Sequence, residues 1–418
     1  MDTTATGTLL EDPRAQALLA DARVVPSQVK ECRRNLGQFI KRYLPLFYRA
    51  EHRRNAWIVI QGLLSGLARK TGEPIARQQG VPRKRIQSFV GWGKWDDQAV
   101  MRELRKHVVE VMGDPEGVLV FDPSAFPKKG VHSCGVARTW CGRLGKKENC
   151  QVGLFLAYAT DRGQAPLDRQ LFLPKEWIQN PARRAEGHIP AGTKYHERWE
   201  MALKMVRAYG RTIPHRWVTA DDEFGRVGAF RAALRNLRED YIVDVPVTTT
   251  VRDLAVHKPL RAGAGCYPPQ KTKPFCSAGQ WVQALPPQAW QDIEVKDGHK
   301  GPLRVRAAMT KVQTRLRGLA GPEEWLIVTA SPGENGSPPD LSYHIGWSRK
   351  SVSLEQWVRA RARRHQIEQM FEQGKGEAGL GQYEVRSYVG WRHHMTLSLV
   401  ALWFLCLERL RLGKKRQR

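Results

Sequence analysis

The sequence predicts an α/β fold: a mixed sheet flanked by helices, with a helical region before it and a β-rich region inserted into it. Short apolar runs between residues 117 and 245 alternate with helical patterns, as in buried strands joined by helices. After Pro246, prolines and glycines become frequent and strand-like segments replace helical periodicity. These features divide the chain into a helical N-terminal domain, the sheet, a β-rich insertion, C-terminal helices and a basic tail: 1–113, 114–246, 247–350, 351–412 and 413–418.

The helical region shows apolar residues recurring at three and four between Val29 and Met112. Within it, the segment TGEPIARQQGVPRKRIQSFVGWGKWD predicts a helix, a turn centred on Gly80, and a second helix from Pro82. That is the geometry of a helix-turn-helix, in which the basic residues at the start of the second helix would meet DNA phosphate. An ordinary helical hairpin with a solvated basic edge fits equally well. The basic residues in question are Arg83, Lys84 and Arg85.

The sheet begins with GVLVFD, a short apolar run that ends on Asp122. Two further strands follow at 151–160 and 169–173, joined by Gly and Pro turns, so the first three strands are expected to pair antiparallel. A helix at 197–209 precedes WVTAD, a second short buried strand that ends on Asp221. A helix at 224–237 and a strand at 241–245 complete this part of the pattern.

The C-terminal region predicts one helix over 353–379 and a last helix over 396–412. Arg364, Glu368 and Lys375 in the first of these lie at offsets of four and seven, so they fall on one helical face. A carboxylate between two cations is suited to holding a metal ion against a phosphate backbone. A solvated ladder of salt bridges is the structural alternative, worth about 0.3–0.5 kcal/mol per pair.

The charge of the chain indicates a polyanionic partner. Its 418 residues include 68 Lys and Arg against 41 Asp and Glu, a formal charge of +27. Nucleic acid is the commonest polyanion that a protein meets, although ribosomes and anionic lipid are alternatives.

The cysteines and the apolar segments indicate a cytoplasmic protein. Seven scattered cysteines are typical of reduced thiols. The spacing of His132, Cys134, Cys141 and Cys150 matches no common zinc motif. The apolar run 397–407 is too short to span a bilayer. We therefore expect no membrane partner and a location in the cytoplasm.

Three carboxylates are candidates for one metal site: Asp122 and Asp221 at strand ends, and Glu368 on a helix. An aspartate at a strand end is often only a helix cap, so none of the three decides the question alone. Together they offer hard oxygen ligands, which suit Mg²⁺ or Mn²⁺. Two such ions about 4 Å apart can activate water and stabilise the leaving oxygen of a phosphodiester. With Lys128 and Lys129 beside the first aspartate, the set predicts a metal-dependent phosphoryl-transfer enzyme.

Three segments of the chain resemble bacterial insertion-sequence transposases of the DDE class, in the group marked by a Y-R-E-K signature. They are FDPSAFPKKG, TADDEFG and IEQMFEQGKGEAGLGQYEVRSYVGWRHH. Arg364, Glu368 and Lys375 match the R-E-K spacing, while the signature's tyrosine position falls on Arg361. Relatives often carry Asp-Asp-Thr at the first site, where this chain has Asp122 followed by Pro and Ser. The similarity extends from about residue 30 to 410.

The resemblance implies an RNase H-like core in which Asp122, Asp221 and Glu368 hold two divalent ions, Mg²⁺ with Mn²⁺ as a possible substitute. It implies cut-and-paste transposition, with cleavage at the inverted-repeat ends of the element and joining of the 3′-hydroxyls to target DNA. Arg364 and Lys375 would contact phosphates. The N-terminal helices would bind double-stranded element ends, and two copies would act as a homodimer on paired ends, in association with the bacterial nucleoid.

Two other functions fit the same residues. A catalytically inactive, transposase-derived repressor would bind DNA through residues 30–112, and the departures at Arg361 and Pro123 favour it. A general nuclease or junction resolvase on the same core would cut without preference for element ends.

Overall fold

The structure is a computed structural model that describes residues 26–260, 275–298, 301–316, 319–333 and 339–416. Part of the predicted insertion, at 261–274, and the last two residues of the basic tail lie outside these ranges. The helices, short 3-10 turns left aside, are α1 Pro26–Lys41, α2 Ala50–Leu63, α3 Gly72–Gln78, α4 Arg83–Gly91, α5 Asp97–Met112, α6 Lys175–Gln179, α7 Pro181–Glu186, α8 Arg198–Tyr209, α9 Asp222–Gly225, α10 Gly228–Asn236, α11 Ala278–Gln283, α12 Leu354–Ala362, α13 His365–Glu377 and α14 Tyr388–Arg416.

The strands form one sheet of mixed direction. They are β1 Val118–Pro127, β2 Ala137–Cys141, β3 Lys146–Thr160, β4 Gly163–Leu171, β5 Trp217–Ala220, β6 Asp240–Val245, β7 Thr250–Asp253, β8 Cys276–Ser277, β9 Gln291–Gly298, β10 Gly301–Leu316, β11 Leu319–Ser331 and β12 Asp340–Trp347. The described strands make a twelve-stranded sheet in the order β2-β3-β1-β5-β6-β12-β11-β10-β7-β8, with β4 on β3 and β9 on β10.

The core of this sheet confirms the predicted fold class. β1, β5 and β6 run parallel, and β3 is antiparallel to both β1 and β4. The first three strands of the core therefore pair as the sequence predicts. Parallel strands are joined by helical crossovers, here α8 after β4 and α10 after β5. The arrangement is an RNase H-like mixed sheet flanked by helices.

The β-rich segment continues the core sheet. β12 pairs antiparallel with β6, and β11 and β10 follow it outward. A buried ion pair ties this extension to the core, because Arg231 on α10 binds Glu324 on β11 at 2.8 Å. The boundaries of the domains remain a prediction.

The N-terminal helices pack against α14. Asp96 caps α5 by accepting hydrogen bonds from two backbone amides of the first turn. The next residue, Asp97, pairs with Arg169 on β4 and with Arg392 on α14 at 2.9 Å. Helix α14 itself buries Trp391 and Trp403 completely. The helical region is therefore fixed to the sheet by both apolar burial and a buried charge network.

The single helix predicted over 353–379 is wrong. The chain forms α12 and α13, which are separated by a turn at Arg363 and Arg364. The amide of Arg364 donates to the carbonyl of Arg361, and the amide of Ile367 donates to the carbonyl of Arg364. These bonds span three residues, whereas those of an α-helix span four, so the regular α-helix is interrupted here. The turn places Arg364 at the start of α13.

Candidate active site

Asp122 and Asp221 lie side by side at one edge of the sheet. β1 and β5 are parallel, and Phe121 is in register with Ala220. Asp122 is the next residue of β1, and Asp221 is the residue that follows β5. The predicted end of the first strand at Asp122 is wrong, because β1 continues to Pro127 in its pairing with β3. The parallel pairing with β5 stops just before the two aspartates, so they lie next to each other. The Asp122 side chain is 16% exposed.

Asp221 also caps a helix. Its Oδ1 accepts a hydrogen bond from the backbone amide of Glu223 at 3.1 Å, at the start of α9. The structural alternative considered from the sequence is therefore realised at Asp221, and the cap holds this carboxylate in place. Asp222 is exposed and pairs with Arg226 at 2.5 Å.

Glu368 and Asp122 share Arg364 as an ion-pair partner. The guanidinium of Arg364 lies 3.6 Å from Asp122 Oδ1 and 3.7 Å from Glu368 Oε1. Its side chain is only 14% exposed, whereas that of Glu368 is 52% exposed and also lies 3.0 Å from His365 Nδ1. Residues from β1 and α13 thus meet around one buried cation.

Burial makes the ionised form of both aspartates unfavourable. Burial, and then the charge of Asp221, raise the pKa of Asp122 to about 8, although Arg364 opposes this. Burial, and then the charge of Glu223, raise the pKa of Asp221 to about 6. Buried carboxylates whose pKa values are raised in this way favour the approach of a further cation.

Asp244 is a fourth carboxylate at this site, and the sequence reasoning missed it. Its Oδ2 lies 3.3 Å from Arg364 Nη1, and its Oδ1 accepts a 2.8 Å hydrogen bond from His344 Nδ1. Arg361, at the tyrosine position of the signature, lies 3.5 Å away. Burial alone would raise the pKa of Asp244, but His344 and then the two arginines hold it well below its usual range. An acidic residue inside the apolar strand YIVDV was the available signal, since such residues are rarely buried unpaired.

The predicted DNA contacts nearest the site are Lys375, Lys128 and Lys129. Lys375 lies 5.8 Å from the ring of Phe126, and its charge lowers the pKa of Asp122. Lys128 is half-buried, donates to the carbonyl of Tyr383 at 3.2 Å and lies over that ring. Burial lowers the pKa of Lys128 to about 8. Lys129 is exposed.

The predicted contacts on the N-terminal helices lie at the start of α4, after the turn in which Gly80 adopts φ of +62°. Arg83 and Lys84 are exposed, and Arg83 lies 3.8 Å from Glu73. Arg85 is half-buried and donates to Asn55 at 2.6 Å. The ion pairs around the three carboxylates include none of these basic residues. A role for them in DNA binding remains a prediction.

The carboxylates have the chemistry of a divalent-metal site, since hard oxygen ligands suit Mg²⁺ and Mn²⁺. Among the described residues, however, no three His, Cys, Asp or Glu side chains form a group that could hold a metal ion as they stand. Arg364 supplies the positive charge shared by Asp122 and Glu368. The oxygen atoms of these carboxylates fit a divalent cation, and Arg364 lies beside them.

The chain belongs to the DDE superfamily of endonucleases, whose family model matches residues 42–302. It is also similar to a probable transposase for insertion sequence element IS701 from Microchaete diplosiphon, with 27% identity over 190 residues. That alignment covers 44% of this chain and 46% of the relative, so it spans about half of that protein's length. The resemblance predicted from the sequence is confirmed for the family. Glu368 lies beyond the matched residues, and its role is a proposal.

None of the helices in the described ranges is both long and apolar enough to cross a membrane.

Proposed function

We propose that this chain is a transposase that cleaves DNA at the ends of its insertion sequence and joins the exposed 3′-hydroxyls to target DNA. The observation that carries the proposal is the approach of Asp122 and Glu368 to one guanidinium, with Asp221 directly after the neighbouring parallel strand. Membership of the DDE endonuclease superfamily and similarity to a probable transposase support it.

Asp122, Asp221 and Glu368 are the residues proposed to hold two divalent ions, Mg²⁺ with Mn²⁺ as a substitute. Endonucleases of this superfamily generally use divalent metals. When bound, such ions activate the attacking oxygen and stabilise the leaving one at the phosphodiester. The chain's own contribution is position: β1 fixes Asp122, and the helix cap fixes Asp221. Glu368 is half-exposed on α13, where it can adjust to the ions and the DNA.

The basic residues of the site are proposed to bind DNA phosphates. Arg364 presents a fork of donors that suits two phosphate oxygens, and Lys375 acts as a point charge beside it. The exposed Arg83 and Lys84 on α4 would contact the element end. The formal charge of +27 favours this long-range attraction. Two copies would act together on paired ends.

A catalytically inactive repressor is the second candidate. The observation that favours it is the absence of a ready group of three metal-holding side chains among the described residues. The presence of Arg361 at the signature's tyrosine position, where it pairs with Asp244, also favours it. A repressor of this kind binds element ends and never cuts them.

A Mg²⁺-dependent nicking assay on DNA that carries the element ends separates these functions. We expect the wild-type chain to nick at the ends and Asp221→Asn to bind the same DNA without cutting it. Asp222→Asn is the matched control, because Asp222 is the next residue, exposed and paired with Arg226; it should cut normally. Binding without cutting by the wild-type chain identifies a repressor. Cutting without preference for the ends identifies a general nuclease.

A further inference from the structure

Arg364 is shared among three carboxylates, and Asp244 makes the shortest of its ion pairs. The distances are 3.3 Å to Asp244, 3.6 Å to Asp122 and 3.7 Å to Glu368. Asp122 and Glu368 are proposed metal ligands, whereas Asp244 lies on β6, one strand beyond β5. Asp244 is therefore a partner of Arg364 that is not itself a proposed metal ligand.

Asp244 is itself held in place by its neighbour across the sheet. His344 on β12 is in register with Asp244, is fully buried, and lies 2.8 Å from its Oδ1. An ionised carboxylate only accepts hydrogen bonds, so His344 Nδ1 carries the proton. The other ring nitrogen lies 3.2 Å from the hydroxyl of Thr329 on β11, which donates to it. His344 on β12 and Thr329 on β11 thus hold the Asp244 carboxylate in place.

The two oxygens of Asp244 consequently face different partners. Oδ1 is engaged by His344, with Arg361 at 3.5 Å, and Oδ2 is directed toward Arg364. Charged pairs with little exposure to water are stronger than surface pairs, because water screens them less. Asp244 can therefore keep the Arg364 guanidinium in the site after the arginine has lost its contacts with Asp122 and Glu368.

We propose that Asp244 is a positioning residue that holds Arg364 beside the site, leaving Asp122 and Glu368 available to a divalent cation and the guanidinium available to a DNA phosphate. This inference rests on the proposed function. If Asp244 loses its charge, Asp122 and Glu368 become the only carboxylates within 4 Å of Arg364 among the described residues. The arginine then competes with the metal for both of them.

Binding of Mn²⁺ to the full chain, measured from the electron paramagnetic resonance signal of the free ion, tests this. Asp244→Asn should weaken Mn²⁺ binding about tenfold, as is usual for residues that orient the groups around a metal. In an Arg364→Gln background the same substitution should have no further effect, because its action passes through the arginine. Asp240→Asn is the matched control: Asp240 is buried on the same strand and pairs with Arg349 at 2.8 Å, and its loss should leave Mn²⁺ binding unchanged.

Thermal unfolding of each variant shows whether it is folded. If Asp244→Asn does not fold, His344→Gln replaces it; this change removes the Nδ1–H donor but keeps the carboxylate, and it should weaken Mn²⁺ binding in the same direction.

Failure of the positioning role and failure of the proposed function give different results. Wild-type affinity in Asp244→Asn, or an equal loss in the Arg364→Gln background, overturns the positioning role alone. A wild-type chain that binds no Mn²⁺ overturns both the positioning role and the proposed metal site. The expected Mn²⁺ pattern without any DNA cleavage supports the positioning role and overturns the proposed function.

Discussion

The substitution Asp122→Asn should stabilise the metal-free chain at pH 8 while removing a carboxylate that is proposed to be catalytic. Asn keeps the shape of the side chain and cannot ionise. In the wild-type chain, burial and the charge of Asp221 raise the pKa of Asp122 from 3.8 to about 8. A carboxylate so placed favours its neutral form, and its ionisation opposes folding.

The sign of the pH dependence follows from these values. Below pH 3.8 the carboxyl is neutral in both the folded and the unfolded chain and contributes nothing. Between about pH 4 and pH 8 the unfolded chain releases the proton and the folded chain retains it, so stability falls as pH rises. The resulting loss in the free energy of unfolding at pH 8 is at most about 6 kcal/mol, because each unit of pKa shift corresponds to about 1.36 kcal/mol. Relaxation and water around a buried charge reduce it, and we expect about 1–3 kcal/mol.

Thermal unfolding in EDTA at pH 5 and pH 8 measures this difference. Asp122→Asn should unfold about 1–4 °C above the wild-type chain at pH 8, with a smaller advantage at pH 5. Mg²⁺ should raise the Tm of the wild-type chain at pH 8 and leave that of the variant unchanged, because only the former can bind the ion through this residue. A variant no more stable than wild type at pH 8, or one whose advantage is larger at pH 5, would show that the pKa of Asp122 is not raised in the folded chain.

Three further predictions concern the surroundings of the site. Glu324→Gln leaves the buried Arg231 without its charged partner at 2.8 Å, and the free energy of unfolding in urea should fall by about 3–5 kcal/mol; a loss below about 1 kcal/mol contradicts this. Gly225→Ala would place a Cβ 1.8 Å from the carbonyl oxygen of Asp244, so α9 must move away from β6; DNA cleavage should fall with no carboxylate changed, and unaltered cleavage contradicts this. Lys84→Ala should lower the salt dependence of DNA binding by about one unit of slope, and an unchanged slope would place this exposed residue outside the DNA contact.

The sequence predicted the elements that carry the site but not the whole site. Asp122 within β1 and Asp221 directly after β5 could be found because an apolar run followed by an acidic residue is visible in one dimension, although β1 continues past Asp122 to Pro127. That the two aspartates are neighbours depends on parallel pairing of β1 with β5, which the sequence analysis did not predict.

The sequence did not predict pairings across the sheet or the interruption between α12 and α13. Asp244 and His344 are a hundred residues apart and meet because β6 pairs with β12. No local pattern records that contact. The break between α12 and α13 lies in a segment rich in arginine, a good helix former. Here the ion pairs of Arg364 with Asp122 and Asp244 accompany a turn that helical propensity alone does not predict.

Cleavage of end-containing DNA in Mg²⁺, with the cut mapped to the nucleotide, tests the proposed active site. The wild-type chain should produce a 3′-hydroxyl at the boundary of the inverted repeat. Glu368→Gln should bind this DNA and leave it intact, while Glu372→Gln, an exposed change one turn along α13, should cut as the wild-type chain does. Cleavage by Glu368→Gln at the wild-type rate would contradict the assignment of Asp122, Asp221 and Glu368 to one active site.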